Sequence, residues 1–132
     1  NAFQNKMHPI IFFAKNHNEY VGASLCFRGK DTLFGRHWGS NVLLKNLHFE
    51  ACYYQGIQYC IENNIPYFDP GIQGEHKLRR GFEVAKKSSL HMILNKDFRV
   101  AIDKFCKEEE QHIDKYIESC KAYTPFSNDC RI

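Results

Sequence analysis

The sequence predicts an α+β fold, a mixed and mainly antiparallel sheet with flanking helices. Three observations predict it. Residues 9–38 read as three short strands joined by polar turns, residues 47–63 switch to a helical period, and a brief apolar strand follows that helix. Alternation broken by tight turns makes antiparallel hairpins, whereas a strand, helix, strand succession is a right-handed crossover that lays its strands parallel. The chain has 132 residues, 43% of them hydrophobic and 14% aromatic, which suffices for one domain with a core.

Pro9 to Ala14 is a short apolar run that Asn16-His17-Asn18 turns into a hairpin. Val21, Ala23, Leu25 and Phe27 then share one strand face, with Tyr20, Gly22, Ser24 and Cys26 on the other. Arg28-Gly29-Lys30-Asp31 turns the chain again, and Thr32 to Trp38 completes the meander. Phe49, Cys52, Tyr53, Gly56, Ile57, Cys60 and Ile61 recur at helical spacing, and Asn63-Asn64 with Pro66 ends that helix. Tyr67-Phe68-Asp69 reads as the strand after the crossover, and Glu83 to Leu94 as a further strand with Val84, Leu90, Met92 and Leu94 on one face. Phe98, Ile102, Phe105, Ile113, Tyr116, Ile117 and Cys120 define a long amphipathic helix capped by Asp97.

Eighteen basic against fifteen acidic residues leave a net charge of +3, too small to imply a nucleic-acid footprint by itself. The acidic run Glu108-Glu109-Glu110 belongs to a solvated helix face. Cys52, Cys60, Cys106 and Cys120 fall at helical core spacings, Cys26 lies in a strand, and only Cys130 is expected to be exposed; reduced thiols are the natural reading. No run is long enough to span a bilayer, and Asn1 to His8 lack the apolar stretch of a secretory signal, so a cytoplasmic location is expected. The chain starts without methionine, which suggests a piece of something longer. A lobe lacking a sheet partner would expose a strand edge and favour a homodimer or strand exchange.

Gly71 to Phe82 carries the strongest local signal. It sets three glycines, an imidazole, a carboxylate and three cations around Leu78, with Ile72 and Phe82 at its ends, too little apolar surface for a core segment. Asp69-Pro70-Gly71 forces a turn, Gly74 frees the backbone before a short helix, and Gly81 sits where a left-handed residue would end it. Lys77, Arg79 and Arg80 add charge suited to a phosphate or carboxylate. The crevice beside the carboxyl ends of the two crossover strands would be walled by Arg36 to Gly39 and by Asp69 to Gly74.

Leu47-His48-Phe49-Glu50 opens the crossover helix. His48 can cap it or accept a proton, and Glu50 lies near the positive end of its dipole, either as a base or as an ordinary acidic first turn. His48, Glu50, Cys52, Glu75 and His76 are metal-ligand types without metal-ligand spacing, so no metal is expected. The serines lack a nucleophile elbow and the thiols lack an adjacent basic motif, which speaks against a covalent intermediate.

Gly35-Arg36-His37-Trp38-Gly39, the block Leu47 to Ile57, and Gly71-Ile72-Gln73-Gly74-Glu75-His76-Lys77 with Arg80-Gly81-Phe82 resemble the signature blocks of the bacterial FemAB-like proteins. That family belongs to the acyl-CoA N-acyltransferase (GNAT) superfamily and is labelled peptidoglycan biosynthesis or recognition. The resemblance covers roughly residues 9–105 in order. It implies a GNAT-like fold lacking its first strand and helices, the C-terminal lobe of a longer two-lobed protein, with an acyl donor entering between two parallel strands. His37 stands where the family more often has tyrosine, and Arg36 to Asn41 match the superfamily's pyrophosphate loop only in part.

The activity implied is transfer of an acyl or aminoacyl group, from acyl-CoA or an aminoacyl-tRNA, to an amine on a cell-wall precursor. Glu50 is the first choice of base, with His48, Glu75 and His76 as alternatives. Arg36, Trp38, Gln73, Gly74, Lys77, Arg79 and Arg80 would bind substrate or phosphate. The competing expectations are a non-catalytic module for an acidic or phosphorylated cell-wall fragment, and an RNA-binding lobe using the basic run Lys77 to Lys87.

Overall fold

A computed structural model describes residues 8–72 and 74–126. These described residues fall into two compact units, 8–72 and 74–126.

The first unit is an α+β layer. Strands β1 (His8–Asn16), β2 (Glu19–Arg28) and β3 (Thr32–Ser40) make the antiparallel meander, and β4 (Tyr67–Asp69) joins β3 in parallel, giving the order β1-β2-β3-β4. One continuous helical segment crosses between β3 and β4: α1 (Leu47–Phe49), a π-helical stretch (Glu50–Tyr54) and α2 (Gln55–Glu62). Asn46 starts it from the left-handed region, which asparagine tolerates, and Pro66 follows its end. The mixed sheet and parallel crossover agree with the sequence reading.

Two bulges reset what alternation alone would give. Ala14 pairs with Gly22 and Lys15 with Tyr20, so Val21 is the extra residue of β2. Val21 is therefore buried on the same side as Ser24 and Cys26, a correction to the strict two-face reading of this strand. On β3 the extra residue is Arg36, because Leu25 faces His37 while Cys26 faces Gly35.

The helical segment packs on the Ser24 and Cys26 face. Cys26, Leu33, Cys60 and Ile65 form its core, flanked by Ile10, Phe12, Tyr59 and Phe68. Leu33 is wholly buried. Ser24 Oγ donates to the Ala51 carbonyl at 2.6 Å, which occupies an acceptor within the π stretch. Gly56 is obligatory for close approach, since a Cβ there would lie 2.5 Å from the Phe68 ring. The opposite sheet face leaves Ile11 and Phe13 exposed.

The second unit contains a 3-10 helix (Glu75–Arg80), α3 (Lys96–Cys120) and a 3-10 turn (Lys121–Tyr123). Gly81, at φ 87°, closes the 3-10 helix in the expected left-handed conformation, and the Phe126 ring occupies the space a Cβ would need. Asn95, not Asp97, caps α3: its side-chain oxygen accepts the Phe98 N–H at 2.9 Å. Asp97 instead sits in the first turn.

Residues 83–94 form no strand, against expectation. The segment is tied to α3 by Arg99, which donates twice to the Ile93 carbonyl at 2.9 and 2.8 Å, and by Lys86, which pairs with Asp114 at 3.0 Å and Glu110 at 3.5 Å. Alternation needs a partner ladder to become a strand, and here side chains of a helix take the contacts. Leu90, Met92 and Leu94 are left almost fully exposed. Among the described residues, no helix is long and apolar enough to cross a membrane.

Candidate functional site

Pairing between β3 and β4 stops at Phe34 and Asp69. Two local causes end it: Pro70 has no N–H to continue the ladder, and the Arg36 bulge bends β3 away. A cleft of about 100 Å³ opens where the strands part, lined by Ser24, Leu25, Cys26, Gly35, Arg36, His37, His48, Cys52, Tyr53, Pro70 and Gly71. Gly71 is held at φ 89° while its N–H donates to the Asp69 carboxylate at 2.9 Å.

The bulge gives the cleft a guanidinium. Arg36 Nη1 donates to the Gly35 carbonyl at 2.8 Å and Nη2 lies 4.0 Å from Asp69 Oδ2, so the cation is tethered to both walls while remaining part-exposed. Its charge is also felt by Cys26. Burial first, and then the neighbouring Cys60, push the Cys26 thiol up to about 11, and Arg36 partly opposes this. Cys60 is likewise raised by burial, with Arg28 opposing. Both thiols are thus protonated packing groups at neutral pH.

His48 is boxed by aromatic rings, edge-on to Trp38 at 5.8 Å, Phe49 at 5.4 Å and Tyr53 at 5.4 Å. Phe49 and Tyr53 stack on each other at 6.2 Å. This cage fixes the imidazole plane at the cleft wall. Trp38 supports His48 but does not line the cleft. Glu50 does not line it either: the carboxylate is exposed and accepts from Gln55 Nε2 at 2.8 Å, five residues on, the natural contact in a π-helical stretch.

Glu75, His76, Lys77, Arg79 and Arg80 occupy the 3-10 helix of the second unit, with Gly74 before it at φ 113°. Gln73 lies outside the described residues, as does Cys130. Lys77 is the buried member of this set, a finding composition gave no hint of. Arg80 Nη1 donates to the His76 carbonyl at 2.7 Å. The His76 imidazole folds over Gly74, and its pKa is lowered by desolvation and then by the Arg80 and Lys77 charges. Glu75 and Cys120 both contact Tyr116, whose pKa is raised chiefly by its hydrogen bond with Cys120.

Sequence reasoning missed Cys52. Its spacing points to a core residue, yet it is only half-buried and lines the cleft. The signal was present in its spacing from His48, since residues four apart on a helix share a face. Cys106 is exposed, a second correction to the cysteine reading. Among the described residues, no group of three or more His, Cys, Asp or Glu side chains is arranged to hold a metal ion.

No curated protein and no solved structure matches the chain at a significant level. The family comparison agrees with the signature blocks and covers residues on either side of them. Matched over residues 2–128, this chain belongs to the FemAB-like family of peptidoglycan biosynthesis or recognition.

Proposed function

We propose that this chain is a GNAT-like N-acyltransferase that passes an acyl or aminoacyl group to an amine on a peptidoglycan precursor. The observation that carries the reading is the split between β3 and the parallel β4, with a guanidinium and a caged imidazole on its walls. Beyond Phe34 the β3 edge is not covered by β4, so its backbone offers donors to a developing oxyanion. Arg36 adds positive charge beside it. His48 is the better base than Glu50, because it lines the cleft and Glu50 does not.

The donor is acyl-CoA or an aminoacyl-tRNA. Within the second unit, Lys77, Arg79 and Arg80, with the Gly74 backbone, are a set suited to a phosphate group, and Glu75 and His76 are reserve proton carriers on the same short helix.

Ligand protection tests this. Anything that binds only the folded protein stabilises it by mass action, about 2.7 kcal/mol at a hundred times its Kd. Coenzyme A or aminoacyl-tRNA is expected to raise the melting temperature, and Arg36→Ala to remove the rise. Protection by an acidic cell-wall fragment alone would make the protein a recognition module and end the transferase reading.

A further inference from the structure

We propose that Cys52 is a nucleophile that carries the acyl group as a thioester, with His48 as its base. This inference rests on the acyl-transfer reading above. Three observations converge on it. His48 and Cys52 are one helical turn apart and line the same cleft. The imidazole is oriented by the Trp38, Phe49 and Tyr53 rings, so a third element fixes the base as a nucleophile–base pair requires. Arg36 lines the same cleft, where its charge suits the oxyanion of a tetrahedral adduct.

The other described thiols lack this combination. Cys26 shares the cleft but is almost wholly buried and held protonated, and Cys60 and Cys120 are buried. Cys106 is exposed on α3 and is not among the residues that line the cleft. Accessibility alone would make Cys106 the most reactive. The cleft geometry reverses that order.

In the first step the Cys52 sulfur attacks the donor carbonyl. The S–C bond forms, the bond from that carbon to the donor's oxygen or sulfur breaks, and the thiol proton passes through His48 to the leaving atom. In the second step the acceptor amine attacks the thioester carbon, the C–S bond breaks, and the amine's proton returns through His48 to the sulfur. No electrons are gained or lost overall.

The test uses the intact chain with p-nitrophenyl acetate as probe, reading p-nitrophenolate release together with the acetylated residue by peptide mass spectrometry. Cys52 is expected to be acetylated at least about tenfold faster than Cys106, and His48→Gln to slow Cys52 by roughly a hundredfold while leaving Cys106 unchanged. Cys52→Ser, close in size, abolishes the fast phase, and a thermal melt of each variant verifies the fold. Acetylation of Cys52 no faster than Cys106, or indifferent to His48→Gln, overturns the proposal. Amine transfer at full rate in Cys52→Ser also overturns it while leaving the transferase reading intact. Loading of Cys52 without passage to any amine upholds the thiol centre and sinks the transferase reading instead.

Discussion

In the first unit Leu33, Cys26 and Ser24 are almost completely removed from water, while among the described residues of the second only Lys77 and Cys120 are buried. The difference follows from layering. A sheet face and a crossover helix each supply an apolar surface that the other covers, so the strands can be short and still enclose a core. In the second unit α3 carries an apolar stripe too, but Phe98 and Phe105 are exposed, Ile102, Ile113 and Ile117 are only half-buried, and Lys86 and Arg99 tie the preceding segment to the helix by polar contacts. Pattern supplies the stripe; only a partnered face turns it into stability.

The sharpest test of this contrast pairs two truncations. Leu33→Ala should cost about 2–5 kcal/mol in denaturant unfolding, because a filled site with no access to water is emptied. Phe105→Ala, at 56% exposure, should cost less than about 1 kcal/mol. Equal losses would break the comparison.

Overpacking comes next. Gly56→Ala should destabilise by about 1–3 kcal/mol, since the new methyl would overlap Phe68 in the first unit's core. Gly39→Ala, with open space around its Cβ position, provides the control and should leave the midpoint nearly unchanged.

A titration sharpens the burial argument further. The folded Cys26 pKa lies above its ordinary value of 9.0, at about 11, so its contribution is fully present below pH 9 and is lost as pH rises toward 11. Unfolding free energy should therefore fall across that window, by at most about 1.4 kcal/mol per pH unit for one proton. The slope of Cys26→Ala should be shallower by that amount. An unchanged slope would show that the thiol is not shielded.

The smallest effect belongs to the second unit's cap. Asn95→Ala should cost about 1 kcal/mol through the lost bond to the Phe98 N–H, and Asn95→Asp should recover most of it. If Asp97→Ala proves the more damaging change, α3 begins elsewhere than the structure has it.

Much of the fold was legible because it is written locally. Period-two runs with short turns specified three strands, the spacing from Phe49 to Cys60 specified the crossover helix, and Gly81 fitted its left-handed role. The parallel setting of β4 followed from chain connectivity alone. The site was legible only in outline. Gly35 to His37 and Pro70 with Gly71 do line one cleft, but Glu50 is turned outward by its bond to Gln55, and the helical spacing of Cys52 does not by itself separate a core thiol from one at the cleft.

Sequence by itself thus determined the three meander strands, the crossover helix, β4 and α3 in their order, and membership of the FemAB-like family. Tertiary structure decided the Val21 and Arg36 bulges, the π-helical stretch, the failure of residues 83–94 to join a sheet, and which helix side chains reach the cleft. The physical reason is range. Backbone propensity and periodicity act within a few residues, whereas register, bulges and pairing are set by contacts between residues far apart in the chain, and these settle where each side chain ends up.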